Sequence, residues 1–117
     1  MSLTISNEQL QAAATQYGTP LYVYHAEKIT AQHQQLQKAF EGVYTRFFYA
    51  CKALTNISVL KHIQSIGCNI DCSSINEVYL ALKAGFNPEQ ILYTSNGIAF
   101  EEIIAAVEAC VSVNIDS

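Results

Sequence analysis

From Val43 onward, short apolar runs alternate with amphipathic segments. The runs TRFFYAC, CNIDC, ILYT and SVNID centre near Tyr49, Ile70, Leu92 and Asn114, 21 to 22 residues apart. That interval holds a crossover helix and is too long for a hairpin, so the unit repeats as strand then helix. The intervening segments carry apolar residues at helical spacing. These are Ile57, Leu60 and Ile63, then Val78, Ala81, Leu82 and Gly85, then Phe100, Ile103, Ile104 and Val107. Each such helix has one core-facing stripe, which predicts a parallel sheet covered by helices. The right-handed crossover rule leaves two closures, an open doubly wound sheet or a (β/α) barrel, and periodicity does not choose between them.

Upstream, the pattern is different. Ser6 stands three positions before Gln9, a capping-box spacing, and Gly18 follows as a possible left-handed terminator, so a short helix is predicted over 6–18. TPLYVYH, with Pro20 near its start, reads as a strand separate from the later sheet. A second helix fits Glu27 to Phe40, with Gly42 closing it. At the other end, SVNIDS stops directly after a strand without its covering helix, the expectation for a truncated repeat.

The chain has 117 residues, 50% hydrophobic and 14% charged, with a formal net charge of −4. That composition describes a folded globular unit, not a disordered one. Six Lys+Arg against ten Asp+Glu leave no basic patch for phosphates, which argues against nucleic acid. No run approaches the roughly 18 apolar residues of a membrane span, and MSLTISNEQL lacks the blocks of a signal peptide. The expectation is a cytoplasmic protein with no membrane partner. Cys51, Cys68, Cys72 and Cys110 form no C-x-x-C pair, and His25, His33 and His62 lie near no Cys pair, so buried free thiols are expected and no metal site.

In either closure, ligands meet a parallel α/β fold at the carboxyl ends of its strands. There the sequence delivers Lys52, Asp71, Thr94 with Asn96, and Asp116. A lysine behind FFYAC is the unusual member, because an ammonium at a buried strand end needs a partner or a lowered pKa. Two readings are open: an ion pair with Asp71, or a desolvated amine that forms a Schiff base with a carbonyl such as pyridoxal phosphate.

The neighbouring residues favour the second. Tyr49-Ala50-Cys51-Lys52-Ala53 resembles the Tyr-Ala-x-Lys-Ala segment of the alanine-racemase-like (fold type III) pyridoxal-phosphate enzymes. Gly67 to Ser74 together with Glu77 is similar to the Asp-x-x-Ser-x-x-Glu segment of their decarboxylase branch. Gly18 to Tyr24 and Val113 to Ser117 resemble the opening and the fourth barrel strand of the diaminopimelate decarboxylases. The resemblance spans Tyr17 to the last residue.

It implies the first part of a (β/α)8 barrel over residues 26–117, with about four parallel strands. Residues 1–25 would then be a helix and strand associated with a separate β domain. It implies pyridoxal 5′-phosphate as cofactor, Lys52 as the Schiff-base lysine, and Asp71 beside the lysine and cofactor. The implied chemistry is decarboxylation of an amino acid, diaminopimelate to L-lysine, in a homodimer whose active site is shared. The glycine-rich phosphate loop, the acid facing the ring nitrogen, the stacking histidine and the distal cysteine have no match here. Glu77 also reads as the reciprocal arm of a capping box with Ser74, Asn96-Gly97 as a turn, and His62 as a solvated helix residue. Alternatives within the fold are an ornithine, arginine or carboxynorspermidine decarboxylase and a non-catalytic pyridoxal-phosphate barrel. From another class, a flavodoxin-like docking module would need carboxylates where Lys52 stands.

Overall fold

A computed structural model describes residues 4–115, which fall into two compact units divided between Ala39 and Phe40. In the first, helix α1 (Asn7–Tyr17) carries both arms of the capping box. Ser6 Oγ accepts from the Gln9 amide at 3.2 Å, and the Ser6 amide donates to Gln9 Oε1 at 2.9 Å. Helix α2 spans Ala26–Ala39, one residue earlier at each end than the periodicity predicts. His25 Nδ1 accepts from the Lys28 amide at 3.2 Å and tethers its first turn.

The strand expected in TPLYVYH is not formed. Residues 19–25 join no ladder, and Tyr22 stands 88% exposed. β-propensity sets a preference for extended backbone, but a strand exists only where another strand completes its hydrogen bonds. No described residue supplies one.

The second unit is the predicted repeat. Strands β1 (Phe48–Ala50), β2 (Asn69–Cys72), β3 (Ile91–Thr94) and β4 (Ser112–Asn114) alternate with helices α3 (Ile57–Ser65), α4 (Ile75–Ala84) and α5 (Phe100–Glu108). The strands form one sheet in the order β1-β2-β3-β4, every pair parallel. Register fixes its two faces, because paired residues of a parallel ladder share a face and neighbours along a strand alternate. Ile70 pairs with Ile91 and Cys72 with Tyr93, and all four are buried with Leu60, Val78, Ala81 and Ala106 of the helices. The opposite face carries Ala50, Asp71, Leu92, Thr94 and Asn114, with Ala50 against Asp71, Asp71 against Leu92 and Thr94 against Asn114. Apolar burial thus belongs to the helix side, and the polar residues collect on the other. Asp116, expected at the end of the fourth strand, lies outside the described residues.

Each helix of the repeat ends the same way. The amide of a buried residue reaches back to a carbonyl five positions earlier: Cys68 to Ile63 at 3.4 Å, Phe86 to Ala81 at 3.1 Å and Val111 to Ala106 at 3.0 Å. This is the long-range bond of a Schellman motif, which requires a left-handed residue just before it. Gly67 and Gly85 fill that place in the first two, whereas Cys110 adopts φ +60° in the third. A residue with a Cβ holds that conformation at a cost of roughly 1–2 kcal/mol, part of which glycine would return through its own chain entropy. Because Cys110 is exposed, no packing is lost on replacing it. Cys110→Gly should therefore stabilise the protein that contains this chain by roughly 0.5–1 kcal/mol. A fall in its thermal unfolding midpoint would contradict that account.

Candidate functional site at the strand ends

β1 runs directly into a single 3-10 turn, Cys51–Ala53, and this turn presents Lys52. Two bonds shape it: the Leu54 amide donates to the Cys51 carbonyl at 3.2 Å, and the Tyr49 hydroxyl donates to the Leu54 carbonyl at 3.1 Å. The tyrosine of the Tyr-Ala-x-Lys-Ala segment is thus a strap across the lysine turn, a role that its spacing alone does not reveal. Lys52 itself is exposed, not buried as its place behind FFYAC suggested. The reason is topological: β1 is an edge strand, with β2 on one side only, so no second wall covers the turn.

Lys52, Asp71, Ser73, Thr94, Ser95 and Asn96 line one cleft of about 350 Å³. Three successive strand ends contribute to it, as expected for a parallel sheet whose ligands bind at the carboxyl edge. Asp71 Oδ1 is buried and has no hydrogen-bond partner among the described residues. No ion pair joins it to Lys52 among the described residues, so the two charges share a cavity without neutralising one another directly. A buried carboxylate oxygen left without a donor is costly unless a bound group supplies one.

Behind Asp71, Glu77 departs from the expected capping box. Ser74 Oγ accepts from the Glu77 amide at 3.2 Å, so the N-cap half is present. The Glu77 carboxylate, however, accepts from the backbone amide and the hydroxyl of Ser73, the latter at 2.8 Å. It grips the residue one step upstream of the cap because Ser73 offers two donors there. Ser73 is thereby fixed on the cleft wall, two positions beyond Asp71, where strand alternation returns a side chain to the same face.

Cys51 and Cys72 lie directly behind Lys52 and Asp71, fully buried, their thiols hydrogen-bonded to each other. Burial, with the Glu77 charge adding to it, pushes the Cys51 thiol up to about 11. Burial also pushes Cys72 up, reinforced by the charge of Cys51. Both stay neutral at physiological pH and serve as packing, not as nucleophiles. Cys68 is buried as expected, but Cys110 is exposed at the end of α5. Among the described residues, no three His, Cys, Asp or Glu come together to hold a metal ion.

Asn96, expected both on the polar rim and in a turn with Gly97, lines the cleft, and Gly97 turns beside it at φ +67°. His62 is half-buried on α3 and does not line the cleft. Ser73 and Ser95 were not singled out in the sequence. For Ser73 the available signal was its two-residue offset from Asp71. A neighbouring depression of about 460 Å³ shares Ser95 and Asn96 but contains no charged side chain, so the chemistry belongs with Lys52.

The pattern of the pyridoxal-dependent decarboxylases, in their pyridoxal-binding domain, matches residues 26–117. The chain belongs to this family. Diaminopimelate decarboxylase of Methanothermobacter thermautotrophicus is 43% identical over 117 residues, covering 98% of this chain and 27% of that protein. The enzyme of Deinococcus radiodurans is 32% identical over 97% of the chain and 30% of its own length. The crystal structure of Helicobacter pylori diaminopimelate decarboxylase with L-lysine superposes with a TM-score of 0.86 at 31% identity, over 92% of this chain and 28% of that one. Ornithine decarboxylase of Entamoeba histolytica, at 24% identity and a TM-score of 0.83, shares the fold. The chain spans less than a third of the length of the diaminopimelate decarboxylases it matches. Its four parallel strands are therefore the first part of the family's barrel, the closure that periodicity left open.

The cleft suits the family's cofactor. Among the described residues, a lysine amine in no ion pair stands at its rim and a buried carboxylate oxygen without a partner stands within it. One can take an aldehyde, and the other can accept from a ring substituent.

Proposed function

We propose that this chain is part of a pyridoxal 5′-phosphate-dependent amino-acid decarboxylase that converts meso-diaminopimelate to L-lysine and CO₂. The observation that carries the reading is the meeting of Lys52 and Asp71, from adjacent strand ends, in one polar cleft. When bound, the cofactor supplies an aldehyde for covalent attachment and a ring that accepts electron density as CO₂ departs. Lys52 is the residue that attaches it. Asp71, two residues' reach away on the next strand, holds the negative charge that keeps a proton near the lysine nitrogen. Glu77 fixes Ser73 on the wall beside Asp71. Tyr49 holds the lysine turn in place.

Diaminopimelate is preferred over ornithine because the relatives with 32–43% identity carry the former name, while the ornithine enzyme is related at the level of the fold. No helix among the described residues is long and apolar enough to cross a membrane, which supports a cytoplasmic assignment. The start of the family match at residue 26 supports dividing the chain into 1–25, associated with a β domain, and 26–117, the opening of the barrel. The active form is a homodimer with a shared site, as closed two-fold assemblies are the common solution for soluble enzymes.

The test is to express the full-length protein that contains this chain, load it with pyridoxal phosphate, and assay CO₂ release from meso-diaminopimelate and from ornithine. Faster turnover of diaminopimelate, with L-lysine as product, is the expected result. Turnover of ornithine alone would overturn the substrate, and turnover of neither would overturn the activity.

A further inference from the structure

We infer that Asn96 is a self-modification site: its side-chain amide is lost to attack by the backbone nitrogen of Gly97, and water turns the resulting cyclic imide into aspartate and isoaspartate. The inference concerns the loop between β3 and α5 and holds whichever ligand the cleft takes.

Asparagine is a thermolabile residue, and comparison along the chain singles this one out. Of the seven asparagines, Asn7 and Asn76 precede glutamate, Asn56, Asn69 and Asn114 precede isoleucine, Asn87 precedes proline, and Asn96 alone precedes glycine. The attacking atom is the nitrogen of the following residue, so that residue controls the approach. A β-branched side chain crowds it. Proline has no N–H to lose, and glycine brings no Cβ at all.

The fold widens the difference. Asn56 is held as the cap of α3, accepting from the Ser58 and Val59 amides, and the Asn69 side chain donates to the Phe47 carbonyl at 3.3 Å. Asn87 is tied into its own capping box, and Asn114 is fixed in the ladder opposite Thr94. Asn7 and Asn76 lie in the helical backbone of α1 and α4. Asn96 and Gly97, by contrast, are both exposed in a bend. Neither the Asn96 side chain nor the Gly97 amide takes part in a hydrogen bond among the described residues. With no bond to break, rotation about the Asn96 backbone brings its Cγ onto that nitrogen.

The step balances with water as its one co-reactant. The Gly97 nitrogen gives up its proton and bonds to Asn96 Cγ, the Cγ–Nδ2 bond breaks, and Nδ2 leaves as ammonia. Water then opens the imide at Cγ, giving aspartate, or at the Asn96 backbone carbonyl, giving isoaspartate and a chain rerouted through the side chain. Either product exchanges a neutral amide for a carboxylate. Because Asn96 lines the cleft with Lys52 and Asp71, the rim of the site gains a negative charge over the protein's lifetime.

The experiment holds the full-length protein that contains this chain, folded and loaded with cofactor, at neutral and at mildly alkaline pH. Peptide mass spectrometry follows each of the seven asparagines over days. Asn96 should convert first, gaining the mass difference between an amide and an acid, with isoaspartate alongside aspartate. Conversion should speed up as pH rises, because the attacking nitrogen must lose its proton. Asn96→Gln, whose extra methylene disfavours ring closure, should abolish conversion at this position and keep the parent's unfolding midpoint, since an exposed side chain without bonds is being exchanged. The comparison among asparagines in the parent stands even if that variant does not fold. An Asn96 that outlasts the exposed Asn7, or that yields aspartate with no isoaspartate, would overturn the inference.

Discussion

Lys52→Ala, made in the full-length protein, removes the visible absorption of bound cofactor and lowers decarboxylation on the order of 10³-fold or more, the scale lost when a covalent group is deleted. The fold should survive, because nothing in the second unit depends on the lysine side chain. Lys52 is exposed and joins no ion pair among the described residues. The turn that presents it is held by bonds from the Leu54 amide and the Tyr49 hydroxyl, neither of which involves the substituted atoms. Alanine is compatible with a 3-10 turn, and Ala53 already follows within it. The variant should therefore show the parent's circular dichroism and unfolding midpoint with no cofactor band. Near-normal decarboxylation by a folded Lys52→Ala protein would refute the assignment of Lys52 and would remove the main chemical reason for reading the cleft as a pyridoxal-phosphate site.

The architecture of the second unit was legible because two independent signals agreed along its whole length. The interval from Tyr49 to Ile70, Leu92 and Asn114 required crossovers, and the helical stripes between them supplied the elements to cross with. Strand polarity followed from connection length alone. TPLYVYH shows the limit of this kind of reading: its residues favour extended backbone, but whether a ladder forms depends on a partner that local sequence does not name. Lys52 and Asp71 could be placed at one rim because parallel topology puts all carboxyl ends together. Their mutual geometry could not, since an edge position left Lys52 exposed and the ion pair, one of the two open readings, unformed among the described residues. The Glu77 arm was misjudged for a smaller reason. Spacing identifies which residues can meet in a first turn but not which of two adjacent residues wins, and Ser73 donates both its amide and its hydroxyl to Glu77 while the Ser74 hydroxyl accepts from the Glu77 amide.

Expressed by itself, the 117-residue chain should release no measurable CO₂ from diaminopimelate in the presence of pyridoxal phosphate, and it should associate instead of remaining monomeric. The sheet has four strands where the barrel of this fold closes with eight, so β1 and β4 each expose an unpaired row of backbone donors and acceptors. No further strand among the described residues covers the face that carries Asp71, Leu92 and Thr94, and Lys52 at its rim is exposed to water. Water at that rim weakens every electrostatic contribution Asp71 can make to the lysine, because charge interactions fall in proportion to the local dielectric. Apolar side chains add to the tendency to associate: Tyr44 is 94% and Ile115 89% exposed. Sedimentation of the purified chain alongside a CO₂ assay distinguishes the outcomes. Species heavier than 12.9 kDa without turnover are expected. Turnover by a monomeric species would mean that the three strand ends around Lys52, with no further wall, suffice to bind and decarboxylate the substrate. Lys52 would then owe its reactivity to the strapped turn of Tyr49 and Leu54 and to Asp71 alone.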